Sequence, residues 1–278
     1  MPVDDAAVRP ALSLLSAPGR TARYLIEMIE SVVAQTVGDW ELIVVGDATT
    51  GEVGRAVAAY ADDPRIRLLR HAHDDLAAGV NAAASVARGG YYAVLPGDGR
   101  LEPTFCERVG QVLAERPEID VLCVDALPFL DGAHRWPSFR QRCGITDEPG
   151  VGHRVGLAEI IRCPALYTTA AIRASTWAAA GGYPVDTPQV ESLAMCLRMS
   201  AAGCDLRVLP EQLGGYRLHP DNLDHRPRDH DEYDAAVERA FLGVAALTDD
   251  PEVLAALRST LRTHRYESAL RRARAAVR

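Results

Sequence analysis

A single carboxylate between two glycines, Gly97-Asp98-Gly99, is the pattern in this chain best suited to chemistry. Flanking glycines permit a tight turn that leaves the carboxylate oxygens open to a ligand. A hard divalent cation with a diphosphate suits such a carboxylate, because Mg²⁺ is commonly held by one or two carboxylates and phosphate oxygens, and Mn²⁺ accepts similar ligands. An Asp in a glycine turn can equally be structural, so the pattern alone leaves both interpretations open.

Asp47 shows the same ambiguity after an earlier apolar run. Its carboxylate could accept the imino N–H of a pyrimidine base, or it could hydrogen-bond its own turn at Ala48-Thr49-Thr50. The glycine-rich signatures G-x-G-x-x-G (after the first strand) and G-x-x-x-x-G-K-[ST] are both absent. Their absence argues against a dinucleotide-binding dehydrogenase and against a P-loop enzyme.

The elements that must position these acids alternate between strands and helices. Short apolar runs predict strands at 12–16, 41–45, 65–69, 91–95 and 120–125. Helical spacing of apolar residues separates them, as at Leu25, Met28, Ile29 and Val32. This alternation indicates right-handed crossovers and a mostly parallel sheet, which binds ligands beyond the carboxyl ends of its strands. The loops there are 16–20, 46–50, 71–75 and 96–100.

The second half of the chain is predicted from weaker patterns. We expect a hairpin or loops over 128–156, a short helix from Leu157, a strand around 166–169, helices over 172–180 and 189–202, strands at 206–209 and 215–218, and closing helices from about Asp231 and Pro251.

Composition is ordinary for a globular protein, with 48% hydrophobic and 24% charged residues among 278 and a formal net charge of -8. The acidic balance argues against a nucleic-acid binder, which needs clustered Lys and Arg. With no secretion signal and no apolar run of about 18 residues, we expect a soluble, cytoplasmic protein. Its six scattered cysteines are then expected to be reduced thiols.

The order of several short motifs resembles the family 2 glycosyltransferases, which have the GT-A fold. The opening of that family is matched at Tyr24-Leu25, Ser31–Thr36 and Asp39–Asp47, and its D-x-D motif at Pro96-Gly97-Asp98. The intervening matches are Asp63–Arg67, Gly79-Val80-Asn81 and Ala87–Tyr92, and the later ones are Gly181-Gly182-Tyr183, Glu191, Leu197-Arg198, Gly203 and Tyr216–His219. The resemblance covers roughly residues 12 to 220.

This resemblance implies an α/β fold: a GT-A-type, mostly parallel sheet flanked by helices, with a C-terminal helical extension. Residues 1–128 would form a nucleotide-sugar-binding half, 129–222 an acceptor-binding half of the same domain, and 223–278 the extension. The implied reaction is inverting and metal-assisted, with Mn²⁺ or Mg²⁺ as cofactor. It moves a sugar from a nucleotide diphosphate donor, a UDP-sugar by analogy, to a hydroxyl of a small molecule, peptide, polysaccharide or lipid-linked glycan.

The resemblance implies roles for ten residues, by their positions in the matched motifs. Asp98 would ligate the metal, His219 would be a second metal ligand or a phosphate ligand, and Asp47 would contact the nucleobase. Ala17, Pro18 and Arg20 would border the nucleoside, while Gly97 and Asn81 would support the site. Glu191 is the expected catalytic base and Asp186 its substitute, because Ser192 occupies the place where the family has its catalytic Asp. Stabilising a helix N-terminus is the structural alternative for Glu191.

Altered acids at Gly46, Pro96 and Ser192 keep a second interpretation open, a non-catalytic homologue that binds a nucleotide sugar or a partner enzyme. A nucleotidyltransferase of similar fold is a third interpretation, weakened because the glycine-rich signature with a following Lys is missing. The arginine-rich C-terminal helix is expected to be a solvated face or a homo-oligomer contact, with peripheral contact to an anionic membrane as the alternative.

Overall fold

A computed structural model describes the chain at residues 9–18, 23–46, 51–71, 75–130, 133–134, 137–142, 150–163, 170–218 and 230–276. Within these ranges the strands are β1 (Leu12–Ser16), β2 (Trp40–Gly46), β3 (Ile66–Arg70), β4 (Tyr91–Val94), β5 (Arg100–Leu101), β6 (Val121–Leu130), β7 (Ala133–His134), β8 (Ala170–Arg173) and β9 (Leu206–Arg217). The helices are α1 (Leu25–Val33), α2 (Glu52–Ala58), α3 (Leu76–Ser85), α4 (Phe105–Glu115), α5 (Phe139–Arg142), α6 (Leu157–Arg162), α7 (Ala174–Ala179), α8 (Glu191–Ala201), α9 (His230–Ala245) and α10 (Pro251–Ala276).

The strands form one sheet in the order β3-β2-β1-β4-β8-β6-β9-β5, with β7 paired to β6. The first four strands are mutually parallel, and β6 is parallel to β9. The exceptions are β8, β5 and β7, which run antiparallel to their neighbours. The predicted α/β class, a mostly parallel sheet flanked by helices with closing helices at the C-terminus, is confirmed.

Both faces of the central strands are covered, which explains their nearly continuous apolar sequence. Alternate residues of a strand point to opposite faces. Leu14 and Leu42 therefore join the core beneath α1 and α4, whereas Leu15 and Ile43 join the core beneath α3 and α8. All four side chains are fully buried.

Two predicted boundaries are wrong in the second half. The helix predicted over 172–180 begins at Ala174, because Ile172 is still paired with Tyr92 and Val121 in the sheet. The strands predicted at 206–209 and 215–218 are one strand, β9, whose register on β6 shifts around Asp125 and thereby accommodates the extra residues. The strand predicted around 166–169 lies outside the described residues.

Cysteine chemistry also differs from the expectation. Cys106, Cys123, Cys196 and Cys204 are free thiols, but Cys163 is disulfide-bonded, so the expectation of six reduced thiols is wrong. The cysteine spacing in the sequence does not predict this bond, because a disulfide depends on which sulfur atoms the fold brings together. No helix in the described part of the chain is long and apolar enough to span a membrane.

Candidate functional site

The carboxyl ends of β1, β2, β3 and β4 meet at one edge of the sheet because these strands are parallel and adjacent. We call this edge the carboxyl rim. Ser16, Gly46, Arg70 and Val94 are the last residues of the four strands. The loops that the sequence analysis singled out therefore do leave the sheet at a common edge, which is where open α/β sheets bind ligands.

Asp98 lies in a tight turn that leaves the carboxyl rim just after β4. The Gly99 N–H donates to the Pro96 carbonyl at 3.0 Å and closes the turn. Gly97 and Gly99 are buried, whereas Asp98 is partly exposed. A Cβ atom at Gly99 would lie 3.3 Å from the Pro96 oxygen, which explains the glycine after the acid. The predicted position of Asp98 at the rim is therefore observed, with its backbone held by a packed turn.

Ala17 and Pro18 follow β1 beyond the rim. Ala17 is partly buried and Pro18 is buried. Next to them, the Ser16 hydroxyl is buried and has no hydrogen-bond partner among the described residues. A buried hydroxyl usually finds a partner. Three further candidates, Arg20, Asp47 and His219, lie outside the described residues, so the structure does not place them.

Asn81 connects α3 to the turn at Gly181-Gly182-Tyr183. Its Nδ2 donates to the Tyr183 carbonyl at 2.9 Å, and its Oδ1 accepts from the Tyr183 N–H at 2.8 Å. Gly182 has φ of 74°, and a Cβ atom there would lie 2.4 Å from the Asn81 Oδ1. Both polar groups of the Asn81 amide thus hold this turn. Whether the turn serves the donor site stays a prediction.

Glu191 is the first residue of α8 and is only 5% exposed. Burial raises the pKa of its carboxyl group, and hydrogen bonds from the backbone of Glu191 and Gln189 only partly offset this effect. The charge of Asp75 raises the pKa further. Gln189 itself has φ of 69°, an uncommon conformation for a residue with a side chain.

Asp75 locates Glu191 relative to the rim. It is the N-cap of α3, with its side chain accepting from the Ala77 N–H at 3.0 Å, and it follows β3 by a few residues. The helix after a parallel strand starts at the carboxyl end of that strand, so Asp75 stands on the rim side. Helices α3 and α8 pack in one buried core, and the charge of Asp75 raises the pKa of Glu191, so the buried acid lies near Asp75. Asp75 falls in a loop predicted to lie at the carboxyl ends of the strands, but the sequence pattern alone predicts no role for it.

Asp186 is placed differently from Glu191. Its side chain is 63% exposed and pairs with Arg198 at 3.5 Å, while its carbonyl accepts from the Arg239 Nε at 2.7 Å. Arg198 lies two helical turns beyond Glu191, about 10 Å along the axis. The carboxylate of Asp186 therefore faces the outer surface of α8, and the structure does not bring it together with Glu191.

A metal ion would need ligands beyond the described protein side chains. No group of three or more His, Cys, Asp or Glu side chains in the described ranges could hold a metal. Asp98 alone fits the mode in which one carboxylate and the phosphates of a ligand share Mg²⁺ or Mn²⁺. The residues thus fit a cation that arrives with a diphosphate, and they do not form a metal site by themselves.

Comparisons with known proteins identify the family of this chain. Residues 19–167 match the model of the family described as Glycosyl transferase family 2. The protein y4gI of Sinorhizobium fredii is 39% identical over 114 residues, which are 40% of this chain but only 12% of that protein. EpsE of Bacillus subtilis, named as a glycosyltransferase, is 29% identical over 217 residues, which are 75% of this chain and 70% of EpsE.

Solved structures show the same fold at low sequence identity. S. aureus TarS 1–349 in complex with UDP-GlcNAc matches 90% of this chain and 70% of its own, with a TM-score of 0.70 and 14% identity. The mannosyltransferase PcManGT from Pyrobaculum calidifontis, in complex with GDP-Man and Mn²⁺, matches 98% and 81% of the two chains, with a TM-score of 0.64 and 14% identity. The family resemblance of the sequence is confirmed: this chain belongs to glycosyl transferase family 2.

Proposed function

We propose that this chain transfers a sugar from a nucleoside diphosphate donor to an acceptor hydroxyl, with inversion at the anomeric carbon. The observation that carries the proposal is the Asp98 turn at the carboxyl rim of a family 2 sheet, on the side where Glu191 is buried. The related folds support a nucleotide-sugar donor, since TarS was solved with UDP-GlcNAc and PcManGT with GDP-Man and Mn²⁺. A UDP-sugar is the first donor to test.

Asp98 and Glu191 take different roles in the proposed reaction. Asp98 would hold a cation, Mn²⁺ or Mg²⁺, which would supply positive charge to the departing diphosphate. Glu191 accepts the proton of the acceptor hydroxyl while the hydroxyl oxygen of the acceptor forms the bond to the anomeric carbon. The bond from that carbon to the diphosphate oxygen breaks, and the diphosphate leaves with the electron pair. Burial raises the pKa of Glu191 and thereby makes its carboxylate a stronger base.

Donor binding can be tested by thermal unfolding with UDP- and GDP-sugars, with and without Mn²⁺. We expect one donor to raise the unfolding midpoint mainly when Mn²⁺ is present, since a ligand at 100 times its Kd stabilises a protein by about 2.7 kcal/mol. Asp98→Ala should lose both the Mn²⁺-dependent shift and donor hydrolysis. Asp62→Ala, at an exposed position before β3 on the opposite edge, should keep both. Indifference of the unmodified chain to every donor would overturn the proposal.

One observation favours a second candidate, a non-catalytic protein that binds a nucleotide sugar. The Glu191 carboxylate already accepts hydrogen bonds from the backbone at the start of α8, as a purely structural acid would. That candidate predicts Mn²⁺-dependent donor binding without hydrolysis or transfer, and no change in donor binding in Glu191→Gln. Turnover by the unmodified chain would exclude it.

A further inference from the structure

Arg217, the last residue of β9, is a buried cation beside the Asp98 turn. It is 8% exposed, and its guanidinium carbon lies 4.3 Å from the centre of the Tyr24 ring and 4.7 Å from that of Phe129. A buried charge needs compensation. The two aromatic faces supply part of it, since the planar guanidinium stacks well on aromatic rings.

The hydrogen bonds of Arg217 join segments that are distant in the sequence. Its Nε donates to the main-chain oxygen of Asp98 at 3.2 Å, across 119 residues. Its Nη2 donates to the Glu27 carboxylate in the first turn of α1, across 190 residues. The bond to Asp98 is made to its peptide oxygen, so this contact fixes where the turn lies.

The end of β9 also holds the chain just after this turn. Arg100 and Leu101 form β5, which pairs with Gly215 and Gly214 of β9. Gly99 packs against the same strand, because a Cβ atom there would lie 3.5 Å from the Gly215 oxygen. The Asp98 turn is therefore held at two points. Arg217 binds the main-chain oxygen of Asp98, and the β5–β9 pairing holds the residues that follow the turn.

We propose that Arg217 is a positioning residue that holds the Asp98 peptide so that the Asp98 carboxylate meets the diphosphate and its cation in one orientation. The inference rests on the proposed function. Arg217 acts through Asp98 rather than on the reacting atoms. Tyr24 and Phe129 set the plane of the guanidinium, and Glu27 anchors its far nitrogen.

Arg217→Lys tests the inference because lysine keeps the charge but loses the planar fork and the Nε donor. Calorimetric titration of MnCl₂ in the presence of UDP, repeated with GDP, measures cation binding without requiring turnover. We expect Arg217→Lys to weaken Mn²⁺ binding at least tenfold. Arg100→Lys is the matched control, since Arg100 stacks on the same Phe129 ring at 4.3 Å and pairs with Glu102, and it should change binding less than twofold.

Equal weakening in both variants, or unchanged Mn²⁺ binding in Arg217→Lys, would overturn the positioning role. Should Arg217→Lys fail to fold, Glu27→Gln decides the matter, because Glu27 is largely exposed and anchors only the far nitrogen. We expect a two- to fivefold weakening there, and no change would count against the inference. Absence of Mn²⁺ binding in the unmodified chain with both nucleotides would instead refute the proposed function, so the two failures are distinguishable.

Discussion

Glu41 and Glu191 are both buried glutamates, yet they lie at opposite ends of the sheet and their pKa values shift in opposite directions. Glu41, near the start of β2, is 1% exposed. It accepts from the Ser13 hydroxyl at 2.7 Å, from the Arg88 N–H at 2.6 Å and from the Arg67 Nη2 at 2.8 Å. Burial alone would raise the pKa of Glu41, but these donors together bring it below its ordinary value.

Burial raises the pKa of Glu191, the hydrogen bonds that it receives from the backbone only partly offset this effect, and the negative Asp75 raises the pKa further. The contrast shows that burial by itself does not determine the role of an acid. Where cations and a hydroxyl surround the carboxylate, its pKa is lowered and the charged group ties strands together. Where they are missing, the carboxylate gains basicity, which is what a proton acceptor needs.

The largest expected effect is that of Glu191→Gln on turnover. Glutamine keeps the size and an oxygen acceptor but cannot take a proton, so we expect turnover to fall by about 10² to 10⁴-fold. Donor binding, measured by thermal shift, should stay within about threefold because Asp98 is unchanged. Transfer at an unmodified rate would show that Glu191 is not the base. The proposed functional difference between Glu191 and Glu41 would then be wrong.

The same variant has a pH signature. The raised pKa of Glu191 means that its stabilising form is the neutral one, complete below the unfolded-state pKa and lost as pH rises through the folded-state pKa. Glu191→Gln should therefore gain stability relative to the unmodified chain as pH rises above 4.5, the ordinary pKa of a glutamate. Unfolding midpoints of both proteins across this range measure the difference, and a difference that shrinks as pH rises would contradict it.

Glu41→Gln should affect stability rather than chemistry. Removing the charge leaves Arg67 and Arg88 without their shared buried partner. Breaking a fully buried pair costs about 3–5 kcal/mol, which is an upper limit here because Arg67 and Arg88 are 36% and 50% exposed. Because the pKa of Glu41 is lowered, its contribution is present above the unfolded-state pKa and is lost as pH falls through the folded-state pKa. Denaturant unfolding at pH 7 and in acid measures both effects.

Glu252→Gln is the control for this variant, since the Arg162–Glu252 pair is exposed and worth about 0–1 kcal/mol. Turnover per folded molecule should be unchanged in Glu41→Gln. A stable Glu41→Gln protein with impaired turnover would contradict the structural role of Glu41 and indicate that this acid takes part in the reaction.

Asn81→Ala should give the smallest effect, because it removes hydrogen bonds without touching a charge. The N–H and C=O of Tyr183 both lose their partner, at a cost of about 1–3 kcal/mol. Denaturant unfolding measures this cost, and Ser85→Ala on the exposed end of the same helix serves as the control. A loss of donor binding that exceeds the loss of folded protein would show that Asn81 also contacts the ligand.

Local sequence was enough to predict the elements whose pattern repeats along the chain. Leu14 and Leu42 lie in apolar runs typical of strands covered on both faces, and Asp98 follows such a run directly. Ser192, at the place of the family's usual base, directed attention to the neighbouring Glu191, which the structure buries. The role of Glu191 as the base stays a prediction.

The rest depended on contacts between distant segments, which leave no local trace. The approach of Asp75 to Glu191 and the bond from Arg217 to Asp98 arise only when separate strands and helices assemble. The boundary at Ala174 was mispredicted for the same reason, since Ile172 joins the sheet through its neighbours rather than through its own pattern.

The turn that Asn81 holds has a consequence for how this protein can vary. Gly181 has φ of 78° but open space around its missing side chain, so asparagine or aspartate could replace it at modest strain. Gly182 combines the same left-handed backbone with an amide oxygen 2.4 Å from any added carbon. The two adjacent glycines therefore differ in the substitutions that they tolerate. In a library that randomises both positions, folded variants should carry several residue types at 181 but only glycine at 182.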